Sequence, residues 1–323
     1  MRAVTLPTFG GPEVLTLAEI PDPVVGPRDV LVGVAAAGVN HADLSQREGH
    51  YPPPPGAPDW PGMELSGVVL EVGAEVTRWK VGDWVCALVP GGGYAERASV
   101  DEGLLLAVPQ TVDLDDAAGI PEAACTVWAN VFMAAGLRAG QSLLVHGGSS
   151  GIGSMAIQLG VALGHRVFAT AGSPAKVAFC DELGARGINY RDDDFAAVIA
   201  AETEGGVDVV LDLVGGDYLP RNIDSLALEG TVMIIANQSG TQGTFDINRL
   251  MRKRARIWAT TLRARPLAER AAIIAAVQQQ VMPLFESGAV KPIVDSRYPL
   301  AEAADAHRRM ESSQHLGKIL LTP

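Results

Sequence analysis

Cysteine is scarce in this chain: there are three in 323 residues, and Cys86, Cys125 and Cys180 stand far apart without any C-x-x-C pair. That argues against a disulfide framework and against a cysteine-rich zinc site, and leaves reduced core thiols as the expectation. Long apolar runs are missing too. Hydrophobic residues make up 48% of the chain, yet no run approaches the ~20 residues needed to cross a bilayer. The opening MRAVTLPTFGGPEVL lacks a signal-peptide core, so a soluble, cytoplasmic protein with no membrane role is expected. Basic charge is in deficit. A formal net charge of −12 repels phosphate backbones and disfavours a nucleic-acid partner. The one basic cluster, Arg252, Lys253, Arg254 and Arg256, reads as a solvated helix face running into a strand. No internal repeat or low-complexity linker is present.

What is present falls into two patterns, as suits a length typical of two domains. The first ~120 residues are short β-rich segments divided by Gly and Pro, among them VLVGVAAAGV, SGVVLEVGAEV, DWVCALV and YAERASV. Tyr51-Pro52-Pro53-Pro54-Pro55-Gly56 cannot be helix or central strand, because proline lacks the donor and fixes φ, so an extended loop is expected there. From about Ser142, buried strands alternate with helical spacing: SLLVHG, RVFATA, VDVVLDLV, GTVMIIAN and IWATTL. Strand and helix in repeated alternation imply an α/β unit, a parallel sheet covered on both faces. A long Ala/Gln-rich helix closes that series near Gly288. KPIVDSRYPLAEAADAHRRMESSQHLGKILLTP then reads as strand, helix, strand that returns to the first domain. The expected boundaries are 1–121 with 289–323 for the β-rich domain and 122–288 for the parallel-sheet domain. IWATTL, as a flat apolar edge strand, predicts a homodimer paired across a two-fold axis.

SLLVHG runs directly into Gly147, Gly148, Ser149, Ser150, Gly151, Ile152 and Gly153, and then into the helix SMAIQLGVALG. Glycines at a strand-to-helix turn let backbone N–H groups approach a pyrophosphate, and the helix N-terminus adds a favourable dipole. Ser150 occupies the middle glycine position of G-x-G-x-x-G, but the place at the first strand of a β/α series supplies the context the motif requires. A dinucleotide is therefore expected at Gly148, Ser149, Gly151, Ile152 and Gly153. An NAD site offers an Asp or Glu about 20 residues further on, for the ribose hydroxyl. Here the second strand ends ATAGSPAK, with no carboxylate. Ser173 and Lys176 stand where a 2′-phosphate needs a hydroxyl and a cation, so NADPH is the expected cofactor.

With these motifs on the page, the whole chain resembles the medium-chain dehydrogenase/reductase superfamily. Within it, the zinc-free, zeta-crystallin-like NADPH:quinone oxidoreductases are the nearest match, and of these the tumour-protein-inducible branch. The resemblance rests on AAGVNHADL, PGMELSGVVLEVG, VGDWVCALVPGGGYAE, HGGSSGIGSMAIQL, TAGSPAK, LGARGINY and LGKILL. It implies a GroES-like catalytic domain joined to a Rossmann domain. Zinc-dependent members carry Gly-His-Glu where this chain has Gly62-Met63-Glu64, and a ligand cysteine where it has Asn40. A thioether and an amide are poor Zn²⁺ ligands, so no metal is expected. The resemblance further implies that Asn40 and Tyr51 lie beside the nicotinamide and the acceptor as catalytic residues. Thr126, Tyr190, Asn237, Leu262, Arg263 and Lys318 are by the same resemblance cofactor contacts.

Without a metal to polarise an alcohol, the acceptor must already be electron-poor, and a quinone or similar electrophilic carbonyl compound is the expected small-molecule substrate. The enzyme then supplies proximity, orientation and water exclusion. Two other functions suit the same residues. One is an NADPH-dependent alkenal, enone or enoyl-thioester reductase, which differs only in the acceptor. The other is a non-catalytic NADPH-binding structural or regulatory protein.

Overall fold

The computed structural model describes the whole chain, residues 1–323. It divides into two compact units, residues 1–125 with 262–323, and residues 126–261. No helix is long and apolar enough to cross a membrane.

The first unit is built on a seven-stranded sheet. Its strands run in the order Val294–Pro299, Lys318–Thr322, Asp29–Val39, Glu64–Val72, Trp84–Leu88 and Leu105–Ala107, with Arg97–Asp101 also pairing with Asp29–Val39. Only the first pair is parallel. In DVLVGVAAAGV the period-two alternation sends Val30, Val32 and Ala36 fully inward, as a strand with one buried face requires. Register then fixes what meets at one end of this sheet. Ile319 pairs with Val39 and Leu65 with Ala37, so Asn40, Glu64 and Lys318 fall at the ends of three adjacent strands.

The second unit is a six-stranded, wholly parallel sheet. Its strands are Ser142–Val145, Arg166–Ala171, Arg186–Asn189, Val207–Asp212, Leu226–Ile234 and Arg256–Ala259, arranged in space third, second, first, fourth, fifth, sixth. Leu144, Phe168, Ile188, Val210 and Val232, one from each of five neighbouring strands, are buried together with Phe195 and Ile199. This is the doubly wound arrangement that the alternation of strand and helix implies. The sixth strand has a neighbour on one side only, and its Trp258 is 47% exposed.

The division at residue 261 lies earlier than the boundary expected at 288. The helix Leu267–Gln280 packs on Glu102–Leu104 and Leu105–Ala107, and the Gln278 side chain accepts the Ala107 N–H at 2.9 Å. Apolar spacing shows that this segment is a helix, but it carries no mark of which sheet the helix covers. The basic cluster lies on a solvated face, as expected, with Arg252, Arg254 and Arg256 exposed and Lys253 half-buried. Lys253 Nζ donates to the Asp224 carbonyl at 2.8 Å, and Arg254 pairs with Glu229 at 3.0 Å.

Candidate active site

In the second unit the first strand ends at Val145, and the chain turns through His146 to Ser150 into the helix Gly151–Ala162. Gly147 has φ +64°, a left-handed conformation that favours glycine. Gly153 is required for a different reason, since a Cβ there would lie 2.2 Å from the Gly147 carbonyl oxygen. Ser150 is the helix cap, its Oγ accepting the Gly153 N–H at 3.0 Å, so the serine in the middle glycine position has a structural duty of its own. Ser149 is buried, while Gly151 and Ile152 are partly open.

Beneath this turn lies a polar network that the sequence did not single out. His146 is fully buried, with Nδ1 2.9 Å from Thr170 Oγ1 and Nε2 2.7 Å from Asn222 Oδ1. Asn222 Nδ2 donates to Asp212 at 2.9 Å, and Asp212 Oδ1 accepts the Val214 and Gly215 N–H groups at 2.8 and 3.0 Å. Because the Asn222 amide nitrogen serves Asp212, its oxygen faces the imidazole, so His146 carries its proton on Nε2 and accepts at Nδ1. Burial pushes His146 below the usual histidine range, against the pull of Asp212 and Asn222. A neutral histidine thus ties together the carboxyl ends of the first, second and fourth strands.

At the end of the second strand, Ser173 caps the helix Pro174–Glu182, its Oγ accepting the Lys176 N–H at 3.3 Å. Tyr190 follows the third strand and lays its hydroxyl against Gly172, where a Cβ would come within 2.5 Å of it. The strand-end tyrosine therefore fills the volume of a side chain at position 172. Thr126 is buried, and its carbonyl accepts from Asn130 Nδ2 at 2.7 Å. Asn237 is exposed beyond the fifth strand.

Asn40, Tyr51, Leu262, Arg263 and Lys318 belong to the first unit. Lys318 Nζ lies 2.5 Å from Glu64 Oε1 and 2.7 Å from Asn40 Oδ1, and Asn40 Nδ2 donates to Glu64 Oε1 at 2.9 Å. Below them Asp43, wholly buried, accepts the Asn40 and Gly62 N–H groups at 2.9 Å each and the Tyr94 hydroxyl at 3.1 Å. Desolvation pushes Asp43 up to about 6 despite those donors. Tyr51 and Arg263 meet in a second contact. The guanidinium sits 5.4 Å from the Tyr51 ring centre and donates to the carbonyls of Tyr51 at 3.2 Å and Pro90 at 2.6 Å, and to Gln46 Oε1 at 2.7 Å. Burial raises the Tyr51 phenol above its ordinary range, Arg263 partly opposing, so at neutral pH the hydroxyl is a donor. Glu64 and Asp43 were missed as site residues. Their only signal in the sequence is a carboxylate placed beside apolar or catalytic neighbours, in GMELSG and NHAD.

Two family models match the chain, one described as the alcohol dehydrogenase GroES-like domain over residues 26–110 and one as zinc-binding dehydrogenase over residues 183–321. A quinone oxidoreductase of Rattus norvegicus is 33% identical over 328 residues, covering 99% of this chain and 97% of the rat protein. The chain belongs to the medium-chain dehydrogenase/reductase superfamily, among its quinone oxidoreductases. Solved structures of similar proteins include a mycobacterial protein complexed with NADPH, 29% identical, with TM-score 0.87 and 100% of both chains covered. The CurK enoyl reductase is 25% identical with TM-score 0.86, covering 99% of this chain and 98% of its own. As a medium-chain dehydrogenase/reductase, this chain is an oxidoreductase that uses a nicotinamide cofactor on a small-molecule substrate.

Proposed function

We propose that this medium-chain reductase is zinc-free, takes NADPH, and passes hydride to a quinone or a similar electrophilic carbonyl compound. The observation that carries this reading is the donor set at Asn40 and Glu64. Both direct an oxygen at the Lys318 ammonium, and Met63 is buried in the apolar core. An ammonium held where the zinc-dependent relatives gather ligands leaves a set that does not fit Zn²⁺. No Lewis acid then polarises the substrate, and the acceptor has to be electron-poor before it binds.

The turn at Gly147–Gly153 fits a pyrophosphate: Gly147 takes a left-handed φ, a Cβ on Gly148 would come within 2.7 Å of Cys180 Sγ, and one on Gly153 would lie 2.2 Å from the Gly147 carbonyl oxygen, so glycine lets the backbone close tightly at this strand-to-helix turn. Gly148, Ser149, Gly151, Ile152 and Gly153 would hold it. Ser173, Lys176 and Tyr190 would receive the 2′-phosphate, at a strand end with no carboxylate to repel it. Thr126, Asn237 and Leu262 complete the proposed contacts. When bound, the cofactor supplies hydride. Tyr51 donates a hydrogen bond to the carbonyl oxygen that gains negative charge, and Asn40 orients the reacting groups; the hydroquinone takes its proton from water or a nearby hydroxyl. Arg263, its donors engaged by Tyr51, Pro90 and Gln46, holds the Tyr51 loop in this scheme. The exposed edge strand Arg256–Ala259 supports a homodimer.

An enoyl reductase among the similar structures favours an activated C=C as the second reading. Steady-state NADPH oxidation against ortho-quinones, para-quinones and 2-alkenals separates the two. Quinones should turn over fastest, at a rate that dialysis against a strong chelator leaves unchanged. Faster alkenal reduction would select the second reading, and stoichiometric zinc lost together with activity would remove the zinc-free assignment.

A further inference from the structure

We propose that Glu64 and Lys318 form a positioning pair that locks the side-chain amide of Asn40 in one orientation, an inference that rests on the role given to Asn40 above. The two ends of an amide have nearly the same shape, so only their hydrogen-bond partners decide which way it points. Here the partners carry opposite charges. Lys318 Nζ donates to Asn40 Oδ1 at 2.7 Å, and Asn40 Nδ2 donates to Glu64 Oε1 at 2.9 Å. Turning the amide over would set N–H against ammonium and C=O against carboxylate. The second N–H of Nδ2 has only the Gly38 carbonyl, at 3.5 Å, which leaves it for a bound acceptor or cofactor.

The slot that holds the pair is built from three directions. Glu64 is 0% exposed and Lys318 5%, so each charge has lost its water and needs several partners to offset the loss. Glu64 Oε1 takes Lys318 and Asn40, while Oε2 accepts the Glu122 N–H at 2.9 Å. A Cβ on Gly38 would lie 2.2 Å from Glu64 Oε1, and one on Gly119 would lie 3.1 Å from Lys318 Cγ. Two glycines thus leave space for the carboxylate and for the lysine stem. The Lys318 N–H is itself anchored on the Ile293 carbonyl at 2.8 Å. On this account Lys318 acts through Asn40 and is not a direct contact to the cofactor.

The test is a mutant cycle. Removing one charge alone strands the other and can unfold the protein, so the pair is neutralised together as E64Q/K318M, with K318R as the conservative variant. Loss of the lock should lower kcat roughly 10- to 50-fold, as a misplaced reacting group does. The Kd for NADPH, read by fluorescence, should stay within about 2-fold and K318R should keep most of kcat. In the N40A background the same double substitution should change kcat by less than about 2-fold, since its effect runs through Asn40. In the ¹⁵N spectrum of the cofactor-free protein, the side-chain amide pair absent from N40A should exchange slowly in the wild type and about 10-fold faster or more in E64Q/K318M. Equal losses of kcat in both backgrounds, an unchanged rate in E64Q/K318M, or a large rise in the NADPH Kd would overturn the positioning role while leaving Asn40 in place. An unchanged kcat in N40A would remove the Asn40 assignment and this inference with it.

Discussion

On the Tyr51 hydroxyl two influences compete. Burial raises its pKa and the Arg263 guanidinium over the ring lowers it, burial being the larger. The phenol therefore stays protonated, and its expected contribution is one hydrogen bond that strengthens as charge builds on the acceptor. Tyr51→Phe should slow quinone reduction about 5- to 150-fold, for a loss of ~1–3 kcal/mol, with the NADPH Kd nearly unchanged. A single-turnover rate equal to wild type would assign Tyr51 to packing. Residues like this one are legible because their type and setting are unusual: a tyrosine opening a proline run, glycines at a strand end. Glu64 was not. A carboxylate at the start of a strand reads as exposed until its partner is known, and its partner Lys318 lies 254 positions away, the difference of the two residue numbers. Arg263 was placed correctly after the sixth strand, but its donors turn toward Tyr51, Pro90 and Gln46, and nothing in LRARP shows which way the guanidinium points.

Among the elements, the end of the second strand bears on cofactor choice. Ser173 caps its helix, which an expected phosphate contact does not preclude, since an N-cap side chain and a free phosphate both suit a helix N-terminus. Lys176→Ala should raise KM for NADPH roughly 10- to 150-fold, the range for losing a hydrogen bond to a charged group, and leave NADH almost untouched. Equal losses for the two cofactors in steady-state kinetics would defeat the assignment. Gly172 requires a correction of the simplest specificity swap. An acid installed there meets the Tyr190 hydroxyl, already 2.5 Å from where its Cβ would be, so Gly172→Asp should favour NADH only when Tyr190 is truncated as well. The strands and helices of this unit were readable because each carries its own apolar period. The helix Leu267–Gln280 was readable as a helix and misplaced as a neighbour, because its contacts to Leu105–Ala107 and Gln278 to Ala107 are made across sequence that local pattern does not span.

For the whole molecule, the two-unit division and the parallel sheet were evident from the change in pattern near Ser142, whereas the balance of buried charge was not, since it depends on groups brought together only by folding. That balance sets the response to acid. His307 is buried, 3.3 Å from the Tyr94 hydroxyl and 3.4 Å from Arg47 Nη1, and desolvation, helped by Arg47, lowers its pKa from 6.5 to about 3. Asp43, bonded to the same Tyr94 hydroxyl, is raised from 3.8 to about 6. The signs oppose each other. Below pH 6.5 the unfolded chain protonates a histidine that the folded chain keeps neutral, so His307 contributes stability above pH 6.5 that is lost as the pH falls toward 3. Between pH 6 and 3.8 the folded chain holds a proton on Asp43 that the unfolded chain releases, so Asp43 contributes stability below 3.8 that is lost as the pH rises through 6. In the window where both act, the two slopes largely cancel, and removing either group should expose the other. Relative to wild type, His307→Gln should gain about 3 kcal/mol on going from pH 6.5 to 4, and Asp43→Asn should lose about 2 kcal/mol. Urea unfolding at half-unit pH steps, followed by tryptophan fluorescence, measures both differences. Three parallel stability curves would mean that neither group shifts as its burial requires, while a change in one variant alone would locate the error in the other.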